Sequence, residues 1–377
     1  MPLLKIIVVL CAAIVLQSCA TSYKLPNPAK SPSKLTDEQR ELITKGVHKH
    51  DAGAYQEAIE YYNRVLSVNP DCVNAYYEKS YSLSALGRLE DAIQVAMHGA
   101  QYNDMNMLPQ LYMIIGNNLD DLGKTKDAIN VYKQAIDIVP QLYLLHYNLG
   151  LSYMRINKIA DAKDCFYKTL ELNPAHPSSH LSVGMVDGSV MNSNSKKVLT
   201  YMHFLAVEPN SKRSPEIAMK LYNLVCNSFT KSGPTSFTVY LDAKAMDDKD
   251  NAVYASADMW LSLASIPLSP DSTKPISEKD AAKRTPMGKM SNNIGLAVSI
   301  LTRADSATNK IPMRTRFDKI YKPFMKALND EDDWEGFCYY IMQSTKMIEQ
   351  PPLSNREERF KKVKAYIEKY LSSVQND

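Results

Sequence analysis

Three short stretches of the chain carry residue types that can do chemistry at a defined spacing. His176 and His180 lie four apart, which sets two imidazoles on one face of a helix and is a spacing that ligates zinc. Asp247, Asp248 and Asp250 crowd the stretch DDKD, as the acids of a calcium loop do. Ala252 and Ala255 fill the later ligand slots of such a loop, however, and its turn glycine is missing. Cys19 closes the stretch LQSC, directly behind eleven apolar residues at 6–16 that follow Lys5. That run is too short to span a bilayer as a stable helix and has the length of an export-signal core. Four further cysteines, Cys72, Cys165, Cys226 and Cys338, are scattered without a CxxC pair. They spell no metal site, and although an oxidising compartment would permit disulfides, they read as buried free thiols. No GxSxG, no HExxH and no phosphate-binding glycine loop occurs. His180 falls at a packing position of the helical pattern described below, so a core role is preferred over zinc. The expectation is a protein that is not an enzyme and uses no metal and no cofactor.

The elements that position side chains are written in a repeat. GAYQEAI begins at Gly53, GRLEDAI at Gly87, GKTKDAI at Gly123 and a worn copy, NKIADAK, at Asn157, so the steps are 34, 36 and 34 residues. Such a period marks units that stack because none can bury its apolar face alone. Composition agrees with a helical protein showing aromatic surface: of 377 residues 45% are hydrophobic, with 13 Gly and 23 Tyr. Lys and Arg number 44 against 41 Asp and Glu, which gives no electrostatic reason to propose nucleic acid as a partner.

The repeat resembles the tetratricopeptide repeat, a 34-residue helix–turn–helix unit with small residues at positions 8 and 20, aromatics near 11 and 24, and proline at 32. In the first copy these places hold Gly46, Ala58, Tyr62 and Pro70; in the second Ser80, Leu83, Ala92, Ala96 and Asp104. The third holds Tyr112, Gly116, Leu119, Ala128, Tyr132 and Pro140, and the fourth His146, Gly150, Tyr153, Ala162, Phe166 and Pro174. A fifth, degenerate unit over about residues 176–210 keeps His180 and Gly184 but has Lys196 at the small position. The resemblance implies an all-α superhelix of about five repeats, with a concave face drawn from the first helix of each unit. Family positions place Tyr77, Glu78, Tyr81, Met113, Asn117, Asp120, Asp121, Tyr147, Asn148, Leu151 and Met154 on that face, with Leu181 and Met185 from the fifth unit. Of these, Tyr77, Tyr81, Met113, Asn117, Tyr147, Asn148, Leu151 and Met154 are the candidate partner-binding groove. The lysines with which some relatives clamp a partner's terminal carboxylate are absent there. Tyr and Met suit adaptable apolar contacts and Asn suits a bound backbone. A C-terminal domain packed into the groove would use the same residues as core.

LQSC resembles the lipobox of bacterial lipoproteins, with Leu16 and Ser18 fitting and Gln17 less usual. The resemblance implies a signal peptide at 1–18, acylation of Cys19 and, with Ala20 next, an outer-membrane address through the N-terminal lipid, facing the periplasm. Residues 19–36 hold three prolines and no apolar period, and are expected to be a flexible tether between that lipid and the repeats. The repeats then occupy 37–210, and 211–377 is expected to be an α-helical C-terminal domain. Its helices are read at 214–229, 252–265, 287–303, 312–329, 332–348 and 356–374, with one short strand in 236–243 and a Pro- and Ser-rich loop at 266–277. The stretch KIPMRTRFDKIYKPFMK, followed by DEDDWE, reads as charges that complement helix dipoles, or as a basic face toward lipid headgroups. The leading function is a lipid-anchored scaffold that binds protein or peptide partners in envelope assembly. The alternative is a glycan-uptake lipoprotein with helical repeats, against which the presence of only two Trp residues, Trp260 and Trp334, counts.

Overall fold

The structure, a computed structural model, describes residues 23–191, 193–233, 236–238, 246–266, 285–303, 311–345 and 355–375. Cys19, the signal run and most of the Pro- and Ser-rich loop lie outside the described residues. Among those described there are sixteen helices and a single two-stranded ladder. No helix among them is long and apolar enough to cross a membrane. The chain divides into two compact units, residues 1–157 and 158–377.

The first unit holds α1 (Asp37–Asp51), α2 (Tyr55–Val68), α3 (Val73–Ala85), α4 (Leu89–Gly99), α5 (Leu108–Asp121), α6 (Thr125–Ile138) and α7 (Tyr143–Arg155). Thr36 starts the series with a capping box, accepting from the Gln39 N–H while the Gln39 side chain accepts from the Thr36 N–H. The repeated motif marks the turn inside each pair. Gly53, Gly87 and Gly123 have φ of 78°, 77° and 73°, a left-handed conformation that glycine adopts freely, and Asn157 takes the same place at 58°. The small positions explain the close approach of the paired helices. A Cβ added to Gly46 would lie 2.4 Å from the Tyr62 ring, and one added to Gly116 would lie 2.4 Å from the Tyr132 ring. The aromatic at position 24 therefore fills the space left by the missing side chain at position 8. Ala58, Ala92 and Ala128 at position 20 are fully buried, as are Tyr62 and Tyr132. The first helices also pack on one another in succession, α1 on α3, α3 on α5 and α5 on α7. This crowding makes their layer the inner, concave side of the unit.

Residues 23–36 are not a free tether. They run as a strap over the side of the second helices and their following loops. The Leu25 N–H donates to Gln134 Oε1 at 3.0 Å, and Asn130 and Gln134 both donate to the Tyr23 carbonyl. Further along, Lys30 exchanges backbone bonds with Gln101 and Asn103, and the Ser33 N–H donates to the Asp71 carbonyl at 3.2 Å. Leu25 is buried, Leu35 packs against the core cluster around Tyr62, and the Lys30 ammonium lies 5.3 Å from the centre of the Tyr102 ring. The prolines favour the extended backbone this route needs, and Tyr23, Leu25, Lys30 and Ser33 give backbone polar groups to the repeats.

The second unit begins with α8 (Ile159–Leu172), α9 (Pro177–Met191), α10 (Asn194–Val207) and α11 (Ser214–Cys226). It continues through α12 (Ala252–Ser265), α13 (Pro286–Leu301), α14 (Arg316–Glu331), α15 (Trp334–Ile341) and α16 (Arg356–Gln375). The strand expected in 236–243 is represented by Phe237–Thr238, paired antiparallel with Thr230–Lys231. The break between compact units lies at Asn157 and not at residue 210, because the second helix of the fourth repeat and the degenerate fifth repeat pack with the later helices: α8 meets α14, and α10 meets α12 and α15. α9 and α10 keep the repeat geometry, with Thr200 Oγ1 2.4 Å from a Cβ built on Gly184.

Charge is buried here. Lys196, at the small position of the fifth repeat, is 4% exposed and reaches Asn251 Oδ1 at 3.1 Å and Asp187 Oδ1 at 3.7 Å. Burial lowers the Lys196 ammonium's pKa from its ordinary value, against the pull of the Asp187 carboxylate. Asp187 also takes Lys163 at 2.7 Å and the Tyr167 hydroxyl, and buried Asp318 takes Lys322 at 3.0 Å and the Tyr254 hydroxyl. His180 is fully buried. Its Nε2–H donates to the Pro174 carbonyl at 2.8 Å, leaving Nδ1 to accept from the Tyr321 hydroxyl at 3.0 Å. His176 bonds Ser179 instead of converging with His180. Asp248 accepts from the Asp250 N–H and the Asn251 side chain, a turn that opens α12. Within the basic stretch Arg316 pairs with Asp164 and Glu171, Lys322 with Asp318 and Lys326 with Asp330. Cys72, Cys226 and Cys338 are buried free thiols, whereas Cys165 is only half-buried.

Candidate groove on the concave face

Every groove residue expected from the first unit lies on a first helix: Tyr77 and Tyr81 on α3, Met113 and Asn117 on α5, Tyr147, Asn148, Leu151 and Met154 on α7. None of the eight is buried; Tyr81 and Asn117 are exposed and the other six half-buried. Their helical spacing places them on one side because residues four apart stack on a helix face. In the second unit Leu181 is half-buried and Met185 is 54% exposed.

The face has two stations. The first is aromatic. Tyr81 stacks on Tyr77 with ring centres 6.2 Å apart, and on His50 at 4.6 Å with the planes 19° apart. His50 is fixed from behind by the Ser82 hydroxyl at 2.8 Å, and its other face meets the edge of Tyr55. Beside this stack, burial raises the Glu78 carboxyl's pKa, with the charge of Asp51 adding to the shift.

The second station is a polar notch of about 260 Å³ between α5, α6 and α7. The Tyr132 hydroxyl donates to Asn117 Oδ1 at 2.6 Å, and Asn148 Nδ2 donates to the same oxygen at 3.2 Å. The Ser152 hydroxyl donates to Asp120 Oδ2. Asp120 Oδ1 is buried and has no hydrogen-bond partner. Arg155 closes the rim, giving an N–H to the Asp120 carbonyl at 3.4 Å and lying 3.7 Å from Asp121 Oδ1. The Tyr132 hydroxyl is pushed above its ordinary pKa, first by burial and then by the charges of Asp120 and Asp121, with Arg155 opposing. The notch therefore offers acceptors, amides and a negative field.

Sequence reasoning missed His50, Ser152 and the part played by Arg155. The rule that gave Asp120 and Asp121, applied to the first and fourth copies, points to His50, Asp51 and Arg155. Ser152 carries no positional signal, because its hydroxyl matters only through Asp120.

Comparison with known proteins follows this geometry. Family profiles described as tetratricopeptide repeat match residues 45–96 and 143–176, and one described as TPR repeat matches residues 116–157. The chain carries tetratricopeptide repeats. Tetratricopeptide repeat protein 13 of Homo sapiens is 27% identical over 138 residues, 36% of this chain and 16% of the human protein. Protein O-mannosyl-transferase tmtc2 of Xenopus laevis is 32% identical over 73 residues, 19% of this chain and 9% of that protein. The chain thus spans less than a fifth of the length of these two relatives. Among solved structures, PilF of Pseudomonas aeruginosa aligns with 50% of this chain and 85% of its own, at 20% identity and a TM-score of 0.43. MamA from Desulfovibrio magneticus RS-1 aligns with 46% of this chain and 97% of its own, at 16% identity and a TM-score of 0.39.

Proposed function

We propose that the protein is a lipid-anchored scaffold that binds segments of other proteins in its concave groove, at the periplasmic face of the outer membrane, in the service of envelope assembly. The observation that carries the binding role is the first-helix face itself: eight side chains of aromatic, thioether and amide type that keep accessible surface beside a polar notch. A face of this kind pairs apolar anchors with groups that satisfy a bound backbone. The anchor rests on the sequence LQSC and on Cys19 as the acylated residue. The strap then sets the geometry of anchoring. Tyr23 is bonded to α6, and four residues of chain reach at most about 14 Å. The repeats would thus be held close to the bilayer and not hung from a long tether.

Two measurements test this reading. Cys19→Ser protein should remain uncleaved or be released, and should leave the outer-membrane fraction; a mature protein whose N-terminus is another, unmodified residue by mass spectrometry would refute the anchor. Cross-linking in membranes should capture partners with the native chain and lose them with Tyr81→Ala. Identical captures from the two would refute the groove.

A further inference from the structure

The notch on the concave face has a polarity that selects its ligand. We propose that it takes the cationic nitrogen of a lysine or arginine side chain presented by the bound segment. The proposal rests on the reading of this face as a binding groove and adds the chemistry of its anchor. Asp120 is only 7% exposed, and its Oδ1 has no donor although its Oδ2 is held by Ser152. Native interiors rarely keep a buried acceptor unpaired, and one carried by a residue that lines a pocket is suited to an incoming donor. A donor that carries positive charge makes the strongest bond to a carboxylate.

The surroundings agree. Asp120 and Asp121 line the notch, while Asp51 and Glu78 lie by the aromatic station of the same layer; the cation at the notch rim is Arg155. Asn148, which donates one N–H to Asn117, also lines the notch. Arg155 shows what the rim accepts, yet it holds Asp121 loosely at 3.7 Å with both side chains more than half exposed. An exposed pair of that kind is weak and readily displaced. A partner's terminal carboxylate, by contrast, would meet two acids here. Beside the notch, the stacked rings of Tyr77 and Tyr81 offer faces on which a second cation or an aromatic can lie.

The test is selection from a random dodecapeptide phage library on the full chain held in detergent, repeated with Asp120→Asn and with Tyr81→Ala. The expected result is enrichment of Lys or Arg at one register position on the native chain, lost with Asp120→Asn. The best selected peptide should bind Asp120→Asn roughly tenfold or more weakly by fluorescence anisotropy, the range for a hydrogen bond to a charged group. It should lose as much on the native chain when its basic residue becomes norleucine, a control that needs no protein variant. The melting transition of Asp120→Asn should stay at or above that of the native chain, since Asn keeps the size and removes a buried charge. Peptides that bind without a basic residue, or that tolerate Asp120→Asn and norleucine, would overturn the cation assignment while leaving the groove intact. A failure to select any peptide that Tyr81→Ala weakens would overturn the groove and this inference with it.

Discussion

The two units solve the same packing problem with different materials. In the first, small residues face aromatics: Gly46 against Tyr62, Gly116 against Tyr132, with Ala58, Ala92 and Ala128 fully buried between helices. In the second, the same frame reappears in Gly184 against Thr200, but the small position is Lys196 and the interior holds Asp187, Asp318, Lys322, His180 and His203. A repeat thus tolerates a charge at its tightest position when later helices bring partners to it, as Asn251 ahead of α12 does. Fit by size leaves the first unit's polar groups free to line its groove. Fit by charge makes the second unit's polar groups structural.

The comparison breaks most sharply at Asp187. Asp187→Ala strands the buried Lys196 ammonium and the Tyr167 hydroxyl, and removing one partner of a buried pair costs about 3–5 kcal/mol. Adding Lys196→Met should return much of that loss, because a well-packed apolar pair is often neutral. Urea unfolding of the single and double variants measures both. A double variant no better than the single would mean that size, not charge, governs this site as well.

Acid should find the second unit next. Burial lowers the pKa of His180 to about 4, and that of His203 well below its ordinary value. Both are neutral when folded, whereas the unfolded chain takes up protons near pH 6.5. Their stabilising contribution is full above about pH 6.5 and is lost as pH falls toward 4, on the order of 3 kcal/mol for His180. His180→Gln, which can still donate and accept, should flatten the fall of the urea midpoint over that window. An unchanged slope would show that carboxylates carry the whole acid response.

A smaller effect sharpens the first unit. Ala128 is fully buried at the position that the repeat keeps small, so Ala128→Leu should overpack it by about 1–3 kcal/mol. A melt matching the native chain would contradict the register assigned to the third repeat.

How much of this was legible in the sequence follows from the same contrast. Size rules are local and periodic, so Ala128, Tyr132 and the turn glycines announce themselves in one copy and confirm themselves in the next. The first-helix groove came from the same positional logic, and later helices such as Ala252–Ser265 came from their apolar spacing and end signals. The strap did not, because a Pro-containing stretch with no period looks alike whether it floats or lies against Gln134, 109 residues away from Leu25. Lys196 looked like decay of the repeat, since nothing near it in sequence names Asn251 as its partner. The free oxygen of Asp120 was equally hidden, because it depends on Ser152 holding the other one.

The mildest prediction bears on the groove. Tyr81 is 48% exposed, and its ring stacks on His50 and on Tyr77. Aromatic pairs of this kind are worth about 0.5–1.5 kcal/mol, and solvent already covers half of the ring, so Tyr81→Ala should cost roughly 1 kcal/mol or less. If the face were instead core under another part of the chain, truncation would cost about 3–5 kcal/mol, as for a buried aromatic. The two cases separate on the melting transition of Tyr81→Ala with no partner present. Affinity should fall further than stability: losing a desolvated aromatic anchor weakens binding by about 2 kcal/mol or more, near thirtyfold. A side chain that is cheap to the fold and costly to the complex marks a surface kept for a partner. A variant that unfolds early would place Tyr81 in the core and move the search for a partner away from this groove.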